Sequence, residues 1–196
     1  ACKAWQRDAA AYLLDAAGAD PTRRMKDDST AFDWAVLSGH TPTMELLAAH
    51  PKVDIHALNK FGCAAVQWAA AAGNVGTLRW LQAQGLSLAH VNGARHGAIV
   101  KAAWKGHADA LRWLLFDAEG PRLTEQLSLR DHEGRTVAEL VRLNGQHAVA
   151  DWLQPLIDER EGRAATGTAA APAAAGTRST DAEPEAGGVR VGCVLR

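Results

Sequence analysis

Between Phe61 and Leu81 the chain reads FGCAAVQWAAAAGNVGTLRWL. A run of small residues, Ala69–Ala72, stops at Gly73, and a second apolar group, Leu78, Trp80 and Leu81, follows Asn74. The pattern predicts two short antiparallel helices with Gly73 in the bend, where a left-handed backbone conformation disfavours a Cβ. Asn74 is placed to cap the second helix. The alanines let the first helix approach its neighbours closely, and the large residues of the second fill a core. Helices this short are marginal alone, so the unit needs neighbours of its own kind.

The chain supplies them. Gly39 ends DWAVLSG, Gly73 ends QWAAAAG, Gly106 ends VKAAWKG and Gly145 ends ELVRLNG, at intervals of 34, 33 and 39 residues. Leu46, Trp80, Trp113 or Trp152 stands seven residues after each glycine, always followed by leucine: Leu47, Leu81, Leu114 and Leu153. Self-similarity at this period marks stacked helical repeats. The long third interval implies about six extra residues, placed within Asp117–Leu127. Asn59–Gly62, Val91–Gly93 and Asp131–Gly134 carry turn chemistry and are expected at hairpin tips that project from the stack. Pro155 is expected to end or kink the last helix, with Asp158–Glu161 solvated beyond it.

This arrangement resembles the ankyrin repeat, whose pattern runs D-x-x-G-x-T-P-L-H-x-A-A-x-x-G-H, then an apolar helix, then G-A-D. The resemblance covers about residues 12–154. Asp131, Gly134 and Thr136 match its head, His40 and His107 fall on its G-H, and Gly18-Ala19-Asp20 is similar to the ending of an incomplete leading copy that includes Leu13 and Leu14. The T-P-L-H stretch departs, reading TAFD at 30–33, AAVQ at 64–67, GAIV at 97–100 and TVAE at 136–139, and Arg95 replaces the turn glycine of the third copy. The implied fold is all-α: an ankyrin-type α-solenoid of paired antiparallel helices with short hairpin loops and a disordered C-terminal tail. The implied division is a partial leading repeat at 1–24, repeats at 25–58 and 59–91, a repeat with an insertion at 92–130, a capping repeat at 131–160, and the tail at 161–196. From Arg163 onward Ala, Gly, Thr, Pro and charge dominate and no aromatic remains, too little apolar surface to offset ordering entropy.

Composition narrows the function classes. A net charge of −1 over 196 residues gives no bulk attraction to nucleic acid or acidic membranes. No apolar run approaches the roughly 18 residues of a membrane span, and no secretory signal is visible. Cys2, Cys63 and Cys193 are scattered, which disfavours a disulfide framework or a thiolate zinc site and points to a reducing compartment, cytoplasmic or nuclear. Cys63 is read as an ordinary thiol. The eight histidines show no HxxxH or HExxH spacing, and no GxSxG, phosphate loop or dinucleotide fingerprint occurs, so no metal, cofactor or enzymatic activity is expected. Arg196 is a poor last residue for a prenylation box at Cys193, and lipidation is not expected.

Trp34, Trp68, Trp80, Trp113 and Trp152 read as packing residues, because aromatics at helical spacing usually turn inward. Trp104 differs. It follows the second alanine of the A-A-x-x-G run, a position that in ankyrin repeats faces the concave groove. The resemblance implies a monomeric, non-catalytic scaffold or adaptor that binds a partner protein on this face and the hairpin tips. The candidate partner-binding residues are Lys60, Phe61, His96, Trp104, Lys105, His132, Arg135 and Leu143. Trp104 has a second reading, in which it folds onto a neighbouring repeat. A structural or targeting segment of a larger multidomain protein is the alternative function. Nucleic-acid binding through Arg95, Lys101, Lys105 and Trp104 is disfavoured by the overall charge.

Overall fold

The computed structural model describes residues 7–162. The expected disordered tail, but for 161 and 162, and the first six residues of the expected leading repeat lie outside them. Among the described residues the chain forms nine α-helices, one 3-10 turn and no strand. They are α1 (Arg7–Asp15), α2 (Ala31–Ser38), α3 (Thr41–Ala48), α4 (Ala65–Ala72), α5 (Val75–Ala83), α6 (Ala98–Trp104), α7 (Ala108–Phe116), α8 (Val137–Leu143) and α9 (His147–Arg160), with the 3-10 turn at Thr124–Ser128. Consecutive helices pair as α2–α3, α4–α5, α6–α7 and α8–α9. The first helices α2, α4, α6 and α8 pack side by side in one layer, and the second helices lie behind them.

Side-chain size sets the spacing of that layer. Ala35, Ala69, Ala70, Ala102 and Ala103 are fully buried where neighbouring first helices meet. Leu81, Leu114 and Leu153, from the repeated apolar pair, are fully buried in the same continuous core. The five tryptophans expected to pack do so. Trp68, Trp113 and Trp152 are buried, Trp80 packs on Phe32 at 6.3 Å between centroids, and Trp34 packs on Trp68 at 5.9 Å.

Gly73 ends α4 in the left-handed conformation, with φ 70°. A Cβ there would run into the His107 ring, which bonds the Ala71 carbonyl through Nε2 at 3.0 Å. The bend of one repeat is thus the seat for the first polar side chain of the next. Gly39 is covered in the same way by Asn74, whose side chain also accepts from the Thr77 amide at 3.0 Å and caps α5.

The first helices are capped by three different devices. Thr30 and Asp33 form a reciprocal capping box on α2, and Thr136 and Glu139 form one on α8. Burial pushes the Asp33 carboxyl up, against the hydrogen bonds from Thr30 that favour its charge. On α4 the Gln67 carbonyl accepts from the Ala64 amide at 2.9 Å, and its NH2 donates to the His90 carbonyl at 3.0 Å. On α6 the corresponding residues are Gly97 and Val100, which offer no side-chain acceptor. The 3-10 turn between α7 and α8 fills the vacancy. Gln126, buried beside Gly97, accepts from the Ile99 amide at 3.1 Å and donates to the Ala89 carbonyl at 3.3 Å. The inserted segment therefore serves a helix N-terminus, and its Leu123 and Leu127 extend the core.

The far end differs in part from expectation. Pro155 does not end α9, since the helix continues to Arg160. Leu153 and Ile157, both fully buried, hold the chain helical on either side of the proline. Asp158 is buried and accepts from Gln154 at 3.0 Å, and Glu161 pairs with Arg130 at 2.8 Å, while Glu159 and Arg160 between them are exposed, so the stretch is solvated only in part.

Gly73→Val is expected to destabilise the fold by about 2–4 kcal/mol, through backbone strain and displacement of His107. Gln126→Ala is expected to cost about 1–3 kcal/mol by orphaning the first turn of α6. Urea denaturation followed by circular dichroism measures both.

Candidate functional site

The hairpin tips are built on buried Asn and Asp side chains. The Asn59 carbonyl oxygen accepts from the amides of Phe61 and Cys63 at 3.0 and 2.9 Å. Asn92 does the same for Ala94 and His96 at 3.1 and 2.8 Å, and Asp131 for Glu133 and Arg135 at 3.0 and 2.8 Å. Burial pushes the Asp131 carboxyl up, but the Arg135 and Glu133 donors outweigh it and hold its pKa below the usual range. Arg95, where a glycine was expected, adopts φ 62° and the turn still closes, with its amide on the Asn92 carbonyl at 2.9 Å.

Adjacent tips are bonded into a row. The Lys60 amide donates to the Asp27 carbonyl at 3.1 Å, and the Gly93 amide to the Phe61 carbonyl at 3.0 Å. His132 Nε2 meets the Gly93 carbonyl at 2.8 Å, and His90 Nε2 meets that of Gly62 at 2.8 Å. The tips therefore present a continuous edge, bordered by the layer of first helices.

The eight candidate residues fall into three groups. Lys60 and Phe61 form one tip, with the Lys60 ammonium 5.1 Å from the Phe61 ring centroid and 2.9 Å from the Lys26 carbonyl. His96, Trp104, His132 and Arg135 are brought together around the next two tips. His96 meets the Trp104 ring edge-on at 5.4 Å, and Arg135 and His132 are close enough to act on its charge. Lys105 and Leu143 are exposed at the C-terminal ends of α6 and α8, Leu143 with 69% of its surface accessible.

An exposed aromatic-plus-basic patch was expected here, and three of its members differ. His96 is buried with 4% of its surface accessible, because the Asn92 turn folds it inward. Trp104 is half-buried and packed against the core, so it combines its two readings. Arg135 is engaged within its own hairpin, by Asp131 and Glu133, both at 2.6 Å.

Sequence reasoning missed the importance of Lys101. It precedes Ala102 as Trp34 precedes Ala35 and Trp68 precedes Ala69, and that register was the available signal. Lys101 is buried to 6% accessibility, and its ammonium lies 5.1 Å from the Trp104 ring centroid. Burial, with the neighbouring Lys105 charge, lowers its pKa to about 8. Burial likewise lowers that of His96 to about 4, helped by Lys101 and Arg135 and opposed by Asp131. At neutral pH the cluster is thus a neutral imidazole, an ammonium and an indole.

Cys63 is fully buried, and its sulfur accepts from the Asn92 side-chain amide at 3.2 Å. Among the described residues no three His, Cys, Asp or Glu side chains are grouped to hold a metal ion, and no helix is long and apolar enough to cross a membrane. A second, shallow groove lies between α5 and α7, lined by Arg79, Arg112, Trp113 and Phe116. Its charges are matched internally, Arg79 with Glu119 at 2.6 Å and Arg112 with Asp109 at 3.0 Å.

Repeated helix pairs with bonded tips define a helical solenoid. Residues 32–126 match the family model described as ankyrin repeats, in three copies. The chain carries ankyrin repeats over this stretch. No curated protein matches it. Ankyrin repeats generally serve as non-catalytic modules of protein–protein interaction, which implies protein partners.

His96 sets a pH dependence. Its folded pKa lies below that of the free imidazole, so the unfolded chain binds the extra proton as pH falls from about 6.5 toward 4. Stability present above pH 6.5 is lost through that window. Relative to His96→Phe, the wild type is expected to lose about 2–3 kcal/mol between pH 7 and 4.5, read from denaturant midpoints.

Proposed function

We propose that this protein is a non-catalytic scaffold or adaptor that binds a partner protein along the hairpin tips and the adjoining face of α2, α4, α6 and α8. The observation that carries this reading is the bonded row of tips beside Trp104, Lys105 and Leu143. The tips are held by buried Asn59, Asn92 and Asp131, so the surface is preformed and loses little entropy on binding. The α5–α7 groove, with its charges already matched, has less to offer a partner. The same reading takes the chain as a monomer, with Lys60, Phe61, Trp104, Lys105, His132 and Leu143 as contact residues. His96 and Arg135 support them from beneath and beside.

Trp104 is an unsuitable sole probe, because its half-buried ring also supports His96. Lys105 and Leu143 are exposed and separable from folding. A partner captured by cross-linking to the full chain is then measured by calorimetry. Lys105→Glu combined with Leu143→Ser is expected to weaken binding at least tenfold, with helix content and melting unchanged, while Arg112→Gln in the other groove changes it less than twofold. The reverse pattern would overturn the assignment of the face.

A further inference from the structure

His96, Lys101 and Trp104 lie together, and each brings a donor that no acceptor of the described residues takes up. Both ring nitrogens of His96 and the indole nitrogen of Trp104 are buried without a hydrogen-bond partner. Lys101 forms no ion pair or hydrogen bond among the described residues, and its ammonium meets only the face of Trp104. A buried ammonium is costly unless a carboxylate or comparable acceptor compensates it. Asp131, the carboxylate close enough to act on His96, is already engaged by Arg135 and by two backbone amides. Lys105, exposed at the end of the same helix, adds a second positive charge.

Position supports the same conclusion. Trp34 and Trp68 hold the equivalent register on α2 and α4 and pack ring on ring, although the Trp68 indole nitrogen is buried without a hydrogen-bond partner as well. On α6 that register becomes a lysine. This register therefore changes from aromatic to cationic at the third copy, next to the tip that carries His96.

We propose that this cluster is the anchor for one acidic side chain, Asp or Glu, of the partner protein. The inference rests on the reading of the tip-and-first-helix face as the binding surface. The incoming carboxylate accepts from Lys101 Nζ and Lys105 Nζ, and a small shift of the Trp104 ring gives it the N–H of His96. An extended segment that delivers the carboxylate lays its neighbouring apolar side chains over Trp104 and toward Leu143. The lysine is retained for recognition at the expense of stability.

The test is selection of phage-displayed random dodecapeptides on the intact protein, followed by synthesis of the best binders. Enrichment of Asp or Glu at one position is expected. Lys101→Met is expected to bind the best acidic peptide at least tenfold more weakly while melting about 2–5 °C higher, because an uncompensated charge has been removed. Selection on Lys101→Glu is expected to replace the acidic position by Lys or Arg. Wild-type peptides that are enriched without an acidic position, and are weakened by Lys105→Glu with Leu143→Ser, would keep the binding face and overturn the carboxylate anchor. Equal binding by Lys101→Met would overturn it as well. Failure to enrich any peptide would count against both. A labelled single-stranded oligonucleotide serves as counter-probe, and tighter binding of it than of the acidic peptide at ~150 mM salt would replace the assignment with nucleic acid.

Discussion

A pair of helices of eight or nine residues cannot bury its own apolar surface. The close approach of one pair to the next is the constraint on which this structure depends. Alanines at the contact of neighbouring first helices permit it, and the bends at Gly39 and Gly73 permit it again, since each lies under a polar side chain of the following copy. His107 shows the coupling most directly: its ring covers Gly73 and bonds the Ala71 carbonyl, so α4 ends correctly only when α7 is in place. Local structure and inter-repeat packing are here the same interaction, which is why stability in such stacks resides in interfaces between units.

The same logic governs the tips. A turn projecting into solvent gains no core, yet its conformation determines the edge that the stack presents. Buried Asn59, Asn92 and Asp131 each satisfy two amides of their own turn, and backbone bonds then tie the first two turns to the ones before them, as the His132 side chain ties the third. This network explains how Arg95 is held at a positive φ without glycine. Gln126 extends the principle to helix ends. Where the third copy lacks a capping side chain, a residue some 27 positions downstream provides the acceptor. The insertion and the defective cap are thus two halves of one solution.

These cases also separate what the chain declared from what it withheld. The helix pairs, their bends and the inward-turned tryptophans were legible because they follow from period and residue size. Asn74 as a cap was legible for the same reason, since the interaction spans three residues. Gln126 was not, because its partner is remote and an insertion has no period to compare. The inward turn of His96 was hidden too. Its neighbours Arg95 and Gly97 suggest an exposed loop, and only the Asn92 bonds show which way the ring goes. Pro155 misled for a related reason: local propensity argued for a stop, and burial of Leu153 and Ile157 overrode it.

Lys101 is the sharpest case, because each local rule was available and pointed elsewhere. A lysine on a short helix ordinarily reads as a solvated side chain, and Lys105 four residues later is one. Register gives a different answer, since the same position on α2 and α4 is tryptophan, packed ring to ring. Substituting an ammonium into an aromatic row leaves it over the Trp104 ring with no ion pair among the described residues, and a cation–π contact offsets only part of the desolvation of the charge. Hydrophobic residues of similar volume would pack there at lower cost, and the two preceding copies use them. A position where the fold's own preference is visible next door, and is not followed, is where a requirement outside folding is to be sought.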